Sequence, residues 1–524
     1  MSASAKLLRW CGLLLVAVVA LRLLTLGLYP LTDTTEARYA EMARKMIATG
    51  NWLTPMFDVD VPFWGKPPLS FWLSAVPMAL FGASEFSSRL GPLMAAGLTM
   101  LLFWHWPRDG SAVMGISDKN ATNSRALNPF AIWASLVFLS TPLGFVASGA
   151  VMTDMAMVAG TSLSMVAFWR VVSAPGRHGA WPWLFFLGQA IGLMAKGPVA
   201  MVLSGLAIGG WVLWHGRALN AWQITWQRLP WVRGVLLLLL LVLPWYLLAE
   251  RATPGFLRYF IVGEHWYRFT QSGWKGDLYG VAHAQPKGRI WLFALVSTLP
   301  WVLAACWWAV RGGVGARQQG VKVTSGPATS SAFSRPGEWA YLLCWALAPC
   351  VFFTMSGNIL PAYVLPGLPA LALLVATLAV ARAAQGLGAG PMRLVAGVCA
   401  LLTPVAFTVL VLMAPQRFDV FSDKALLQGA APDQVVYLLS RPDSGVFYTA
   451  GQARLVTTPQ AIRATLDDPA PHRVVLPVNA LADWQAELQA QGWAERGRNK
   501  LGVAFERPGG RAFADTPIDT RTRP

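Results

Sequence analysis

Charge is scarce in this chain. Only 13% of its 524 residues are Asp, Glu, Lys or Arg, about half of what a soluble domain of that size carries. The acids are rarer still, 25 against 42 Lys and Arg, for a formal net charge of +17. No basic run is interleaved with aromatics in a soluble domain, so this excess implies no nucleic-acid partner. Cysteine is also sparse. Cys11, Cys306, Cys344, Cys350 and Cys399 all lie in apolar runs, without metal-ligand spacing, and read as small packing residues. There is no internal repeat.

What the chain does have is apolar length. Hydrophobic residues make up 55% of it and Trp occurs 26 times, the composition of an α-helical polytopic membrane protein. Residues 7–29 form a first span with Lys6 and Arg9 at its start, which reads as a retained signal anchor. Ten further stretches follow near 88–106, 127–147, 152–172, 181–194, 197–214, 233–249, 290–310, 338–355, 361–382 and 393–413. That predicts about eleven transmembrane helices.

Residues 69–82 are apolar too, but too short to span, and read as an interfacial helix. Charge parity agrees. With the N-terminus inside and 69–82 not crossing, the basic loops around Arg108, Arg170, Arg217, Arg311 and Arg382 all face the cytoplasm. The loops 30–82 and 250–289, Asp154, Lys196 and the turn Ser356-Gly357-Asn358 then share the outer face. This places residues 1–414 in the membrane domain. From 415 to 507, β-like runs (435–439, 446–448, 473–477, 502–505) alternate with amphipathic helices at 459–466 and 479–492. They imply a small α/β domain on the same side. The Gly/Ser-rich stretch 312–336 reads as a cytoplasmic linker and 508–524 as a disordered tail.

The outer-face polar residues are the chemical candidates, because charge beside a bilayer is costly and marks function. They are Asp33, Glu36, Arg38 and Tyr39 in the first loop, then Lys66, Asp154, Lys196, Glu264, His265, Arg268, His283 and Tyr363. Each also has a structural reading. Glu36 and Asp154 suit the first turn of a helix, Lys66 could snorkel to head groups, and Tyr363 fits an aromatic belt. Together, cations that hold a phosphate and carboxylates that orient an acceptor suit transfer from a lipid-linked phosphate.

Thr35-Glu36-Ala37-Arg38-Tyr39-Ala40-Glu41, Gly65-Lys66-Pro67, Thr153-Asp154, Lys196-Gly197, Glu264-His265 with Arg268, His283 with Pro286, and Leu360-Pro361-Ala362-Tyr363 recur in order over residues 1–415. In this the chain resembles the GT-C membrane glycosyltransferases, particularly the lipid A aminoarabinose transferases and their protein O-mannosyltransferase relatives. The resemblance implies an inner-membrane enzyme working at the periplasmic face. It would move a sugar, an amino sugar such as 4-amino-4-deoxy-L-arabinose or a hexosamine, from polyprenyl (undecaprenyl) phosphate to lipid A phosphate. It implies Asp33, Glu36 and Asp154 as catalytic groups, and Arg38, Tyr39, Lys66, Lys196, Arg268, His283 and Tyr363 as substrate contacts. Glu264 and His265 would be ligands of a divalent metal, and no nucleotide cofactor is implied.

Two departures stand out. The family's loop Asp is Thr35 here, with Asp33 two residues away, and the family's metal-binding Glu is Gly65. A phosphate acceptor is already ionised and needs less help from a base than a hydroxyl does, which favours lipid A. A protein hydroxyl or surface glycan acceptor, a non-catalytic polyprenyl-phosphate binder and a transporter are the rival readings. Transporters place polar groups near the midplane of repeated halves, unlike this pattern.

Overall fold

A computed structural model describes residues 3–107, 128–173, 176, 178–216, 220–280, 283–318, 335–384, 389–468, 470 and 472–507. The basic-loop residues Arg108, Lys119 and Arg125 and the 508–524 tail lie outside these. The chain divides into two units. The first comprises Met1–Leu23, Asp60–Ser70 and Gly91–Phe407. The second comprises Leu24–Val59, Phe71–Leu90 and the chain from Thr408 onward.

Each of the eleven apolar stretches contains helix. Among the described residues, six helices are long and apolar enough to cross a membrane: Ala5–Thr25, Glu85–Trp104, Asp154–Ser173, Trp231–Ala252, Pro361–Ala383 and Gly390–Met413. A seventh span is broken, Arg289–Thr298 meeting Trp301–Val310 at 83°. Pro300 lacks the N–H that would carry the helix through, and Leu299 before it is extended. The protein is thus a multi-pass membrane protein.

Proline also divides the stretch expected at 127–147 into Pro129–Ser140 and Pro142–Ala147. Thr141 caps the second piece by accepting from Gly144 N at 3.2 Å. Residues 312–318, expected in a linker, instead continue the helix Trp301–Gln318, and 319–334 lie outside the described residues. Leu69–Phe81 is a 13-residue helix, as its length predicts.

The first unit is built around Asp154–Ser173, the most buried of the long helices. It packs on Trp181–Ala195 so closely that a Cβ on Gly188 would come within 2.5 Å of Gly160 O. Small residues let membrane helices approach this way and gain dispersion contacts. Near the helix end, Tyr341 stacks on Trp169 and Phe168 with centroids 4.8 and 5.7 Å apart. Its hydroxyl donates to Met165 O at 2.7 Å.

In the second unit, β1 (Val435–Leu438), β2 (Arg454–Val456), β3 (Arg473–Pro477), β4 (Ala494–Arg498) and β5 (Gly502–Glu506) form one sheet of order β2-β1-β3-β5-β4. β2, β1 and β3 run parallel, and β5 and β4 are antiparallel. Strand alternation separates two apolar faces. Val436, Leu438, Val474, Leu476, Val503 and Phe505 meet the helices Pro459–Asp467 and Leu481–Ala490. Val435, Tyr437, Val475 and Ala504 face the other way, against Leu426 and Leu427. Residues 446–448 are not a strand: Asp443–Tyr448 is a helix, begun after extended Pro442 with an acid in its first turn.

Candidate functional site: a cation-lined apolar cavity

Three local structures in the first unit bring charge to one cavity. The first is the turn carrying Lys66. Tyr279, buried, donates its hydroxyl to Pro62 O at 2.8 Å and accepts from Trp64 N at 3.0 Å. That clamp fixes the turn from which Lys66 reaches Glu264 Oε2 at 2.8 Å.

The second is the break Lys196-Gly197-Pro198 between two helices. Gly197 has φ +95°, and a Cβ there would lie 2.5 Å from Phe260 and 3.0 Å from the His265 ring. Only glycine lets the chain turn so close to these rings. Lys196, one residue earlier, pairs with Asp154 and lies over the Tyr363 ring, 4.7 Å from its centroid.

The third is a π-helix, Arg258–Tyr267, where sequence reading expects only a loop. π-turns are rare and concentrate at functional sites. This one presents Glu264 at the start of the last turn. Arg268 Nη1 donates to Glu264 Oε1 at 2.8 Å and pairs with Asp277 at 3.2 Å. Asn358 staples the same segment by donating to the carbonyls of Arg268 and Gln271, each at 2.6 Å.

The cavity measures about 470 Å³. Lys66, Lys196, Arg268, Glu264 and Tyr363 form its polar part, while Val199, Val202, Ile261, Phe269, Phe352 and Phe353 are among its apolar lining. A pocket of this size with few convergent polar groups is the usual form of a ligand site. Burial alone would raise the Glu264 pKa, but Lys66 and Arg268 outweigh it and hold the carboxyl at about 2. It is therefore an ion at any physiological pH. Burial pushes the His265 imidazole down. His283 is lowered in the same direction by burial and by Arg268, and its carbonyl accepts from Ile359 N at 3.2 Å.

The metal implied by the resemblance can be tested on these donors. Both Glu264 oxygens are committed to cations, and His265 Nδ1 lies 2.7 Å from Phe260 O. Among the described residues no three His, Cys, Asp or Glu gather as ligands. As placed, these groups do not fit a divalent metal.

Asp33, Glu36, Arg38 and Tyr39 lie in the second unit. The helix Thr35–Thr49 forms as expected, without a side-chain cap from Thr34. Glu36 is bridged by Arg89, Nε to Oε1 at 2.8 Å and Nη2 to Oε2 at 2.9 Å. Arg38 pairs with Asp443 at 3.1 Å, and the Asp33 carboxylate accepts from Ser444 N at 3.1 Å. Tyr39 packs edge-on against Phe71 at 5.3 Å.

Residues 10–260 match the family described as dolichyl-phosphate-mannose-protein mannosyltransferase. ArnT from Cupriavidus metallidurans, solved bound to undecaprenyl phosphate, superposes with a TM-score of 0.70 over 97% of this chain and 99% of that one, at 18% identity. This chain has the GT-C glycosyltransferase fold. In sequence it is similar to two proteins named undecaprenyl phosphate-alpha-4-amino-4-deoxy-L-arabinose arabinosyl transferase. The one from Pseudomonas savastanoi pv. phaseolicola is 31% identical over 72% of this chain and 62% of its own length. The one from Erwinia tasmaniensis is 28% identical over 68% of this chain and 56% of its own length. The chain thus spans between half and two thirds of these relatives.

Within this GT-C fold, sequence reading does not single out Asp277, Tyr279 or Arg89, and it places the turn with Asn358 on the outer face without giving that residue a role. Arg89 has a usable signal, since an arginine at the start of an apolar helix needs a partner. Asp277 and Tyr279 have none, because their importance comes from contacts between distant segments.

Proposed function

We propose that the chain is an inner-membrane glycosyltransferase that takes a sugar, an amino sugar, from polyprenyl phosphate and passes it to lipid A phosphate. The cavity carries this reading. Its apolar wall suits a prenyl chain, and Lys66, Lys196 and Arg268 suit the phosphate at the end of that chain. The names of its sequence relatives support the same donor and sugar class.

In this reading Lys66 and Arg268 hold the donor phosphate and stabilise the charge it gains as the sugar leaves. Tyr363 and Lys196 border the same space, and Asp154, ion-paired to Lys196, is the carboxylate for an amino group on the sugar. The N-terminus is cytoplasmic, and the α/β domain and the loops carrying these residues are periplasmic, as the positive-inside rule requires.

Lipid A mass spectra test the proposal. A sugar-sized mass lost on deletion, restored by the wild type and not by Lys66→Ala, is expected. An unchanged spectrum in cells that express the protein would overturn lipid A as acceptor and favour a protein hydroxyl or a glycan. That alternative draws on the mannosyltransferase family match.

A further inference from the structure

We infer that Glu264 makes the cavity discriminate by phosphate charge, binding the singly charged sugar-phosphate diester more tightly than the doubly charged monoester left after transfer. This rests on the proposed function. It concerns what the carboxylate between the two cations does, beyond which cations bind.

The cations of the cavity are already matched. Lys66 and Arg268 each take one oxygen of Glu264, Arg268 also pairs with Asp277, and Lys196 pairs with Asp154. Three carboxylates balance three cations in this cluster before any ligand enters. Glu264 is the one that touches both Lys66 and Arg268 and lines the cavity, with its side chain only 4% exposed. The other ionisable groups facing it do not change this balance. Tyr259 and Tyr279 are held as neutral phenols, first by burial and then also by the acids nearby, and burial disfavours the charged form of His265.

Charge moves during the proposed reaction. The bond between the sugar's anomeric carbon and the donor phosphate oxygen breaks, and its electron pair stays on that oxygen. A lone pair of the acceptor phosphate oxygen forms the new bond to the same carbon. The acceptor goes from a dianionic monoester to a monoanionic diester, and the polyprenyl phosphate makes the opposite change, with no proton released. The second negative charge therefore appears beside Glu264. A monoester phosphate carries it only above its second pKa of about 6. In a water-poor site, one like charge at contact range weakens binding by about tenfold or more. Lys66 and Arg268 can hold the transferring phosphate, while the fixed carboxylate keeps the product from remaining there.

The test uses the full-length protein in detergent with two probes, farnesyl phosphate and its monomethyl ester, a diester that stays singly charged. The wild type is expected to favour the diester at pH 7.5 and to lose that preference by about tenfold at pH 5.0, where the monoester is singly charged. Glu264→Gln is expected to tighten monoester binding at pH 7.5 by about tenfold, with the diester changed less than about threefold. It should also lower kcat and KM together, with kcat/KM changed less than about threefold, as product release slows. Glu264→Asp should keep the preference. Equal tightening for both probes, weakening of both, or a wild-type preference that ignores pH would overturn the inference. If the wild type binds neither probe, or if Lys66→Ala binds both as well as the wild type, the donor-site reading itself fails.

Discussion

Arg89, fully buried, and Arg268, partly buried, are both paired to a glutamate at 2.8 Å, yet they do different things. Arg89 is saturated. Besides Glu36, it donates to Leu26 O at 2.6 Å, Tyr29 O at 2.8 Å and Pro30 O at 2.9 Å, so all five guanidinium N–H groups have acceptors. It ties the segment that follows the first long helix to the start of Glu85–Trp104, and no donor is left for a ligand. Arg268 shares Nη1 between Glu264 and Asp277, while its buried Nε finds no acceptor among the described residues. It lines a cavity. Unused hydrogen-bonding capacity beside empty space distinguishes a binding group from a structural one, where residue type and pairing do not.

Removing the saturated arginine should have the largest effect on the fold. Arg89→Ala leaves Glu36 buried without its cation, and is expected to cost roughly 3–5 kcal/mol of stability, read as a lowered thermal midpoint in detergent. Arg268→Ala should do the reverse, lowering sugar transfer by about 10²- to 10³-fold with a much smaller shift in midpoint. If both variants lose fold and activity together, the distinction fails.

Asn358→Ala sharpens the comparison from the side of the support. It frees the carbonyls of Arg268 and Gln271, and should raise the donor KM about tenfold while leaving kcat within about threefold.

Asp33 offers a pH test in the second unit. Burial, with Asp443 and Asp423 nearby, pushes its pKa up to about 7, although bonds from Ser444 oppose this. The folded protein then holds a proton that the unfolded chain releases near pH 4. Stability from this group is present below pH 4 and declines as pH rises to 7. Asp33→Asn should therefore raise the thermal midpoint at pH 8 and leave it unchanged at pH 4. A smaller effect still is expected from chelation. With Glu264 committed to two cations, EDTA should change transfer by less than about twofold.

Much of this was readable from the order of residues. Apolar length predicted the helices, and the short 69–82 run predicted a helix of about the 13 residues it has. Ordered motifs led to Lys66, Lys196, Glu264, Arg268 and Tyr363, which the structure brings together around one cavity. What escaped depends on backbone detail or long-range contact. The π-turn around Glu264 has no periodicity that separates it from an α-helix or a loop, and breaks at Pro142 and Pro300 look like continuous spans in hydropathy alone. The edge strand Arg454–Val456 is only three residues long and Ala494–Arg498 is mostly polar, so both carry little strand signal. Glu264 was visible as a charged residue, but its role as a bridge between two cations needs residues 66 and 268 in the same place.

The most direct test of the central claim is photolabelling with a polyprenyl phosphate monomethyl ester, a singly charged diester, that carries a diazirine near the head of its prenyl chain. The account predicts crosslinks to Phe269, Phe352 or Ile261 on the cavity wall, competed by unlabelled polyprenyl phosphate and lost in Lys66→Ala and Arg268→Ala but retained in correctly folded Arg89→Lys. Labelling confined to other segments, or labelling of these residues that Lys66→Ala and Arg268→Ala leave intact, would contradict it.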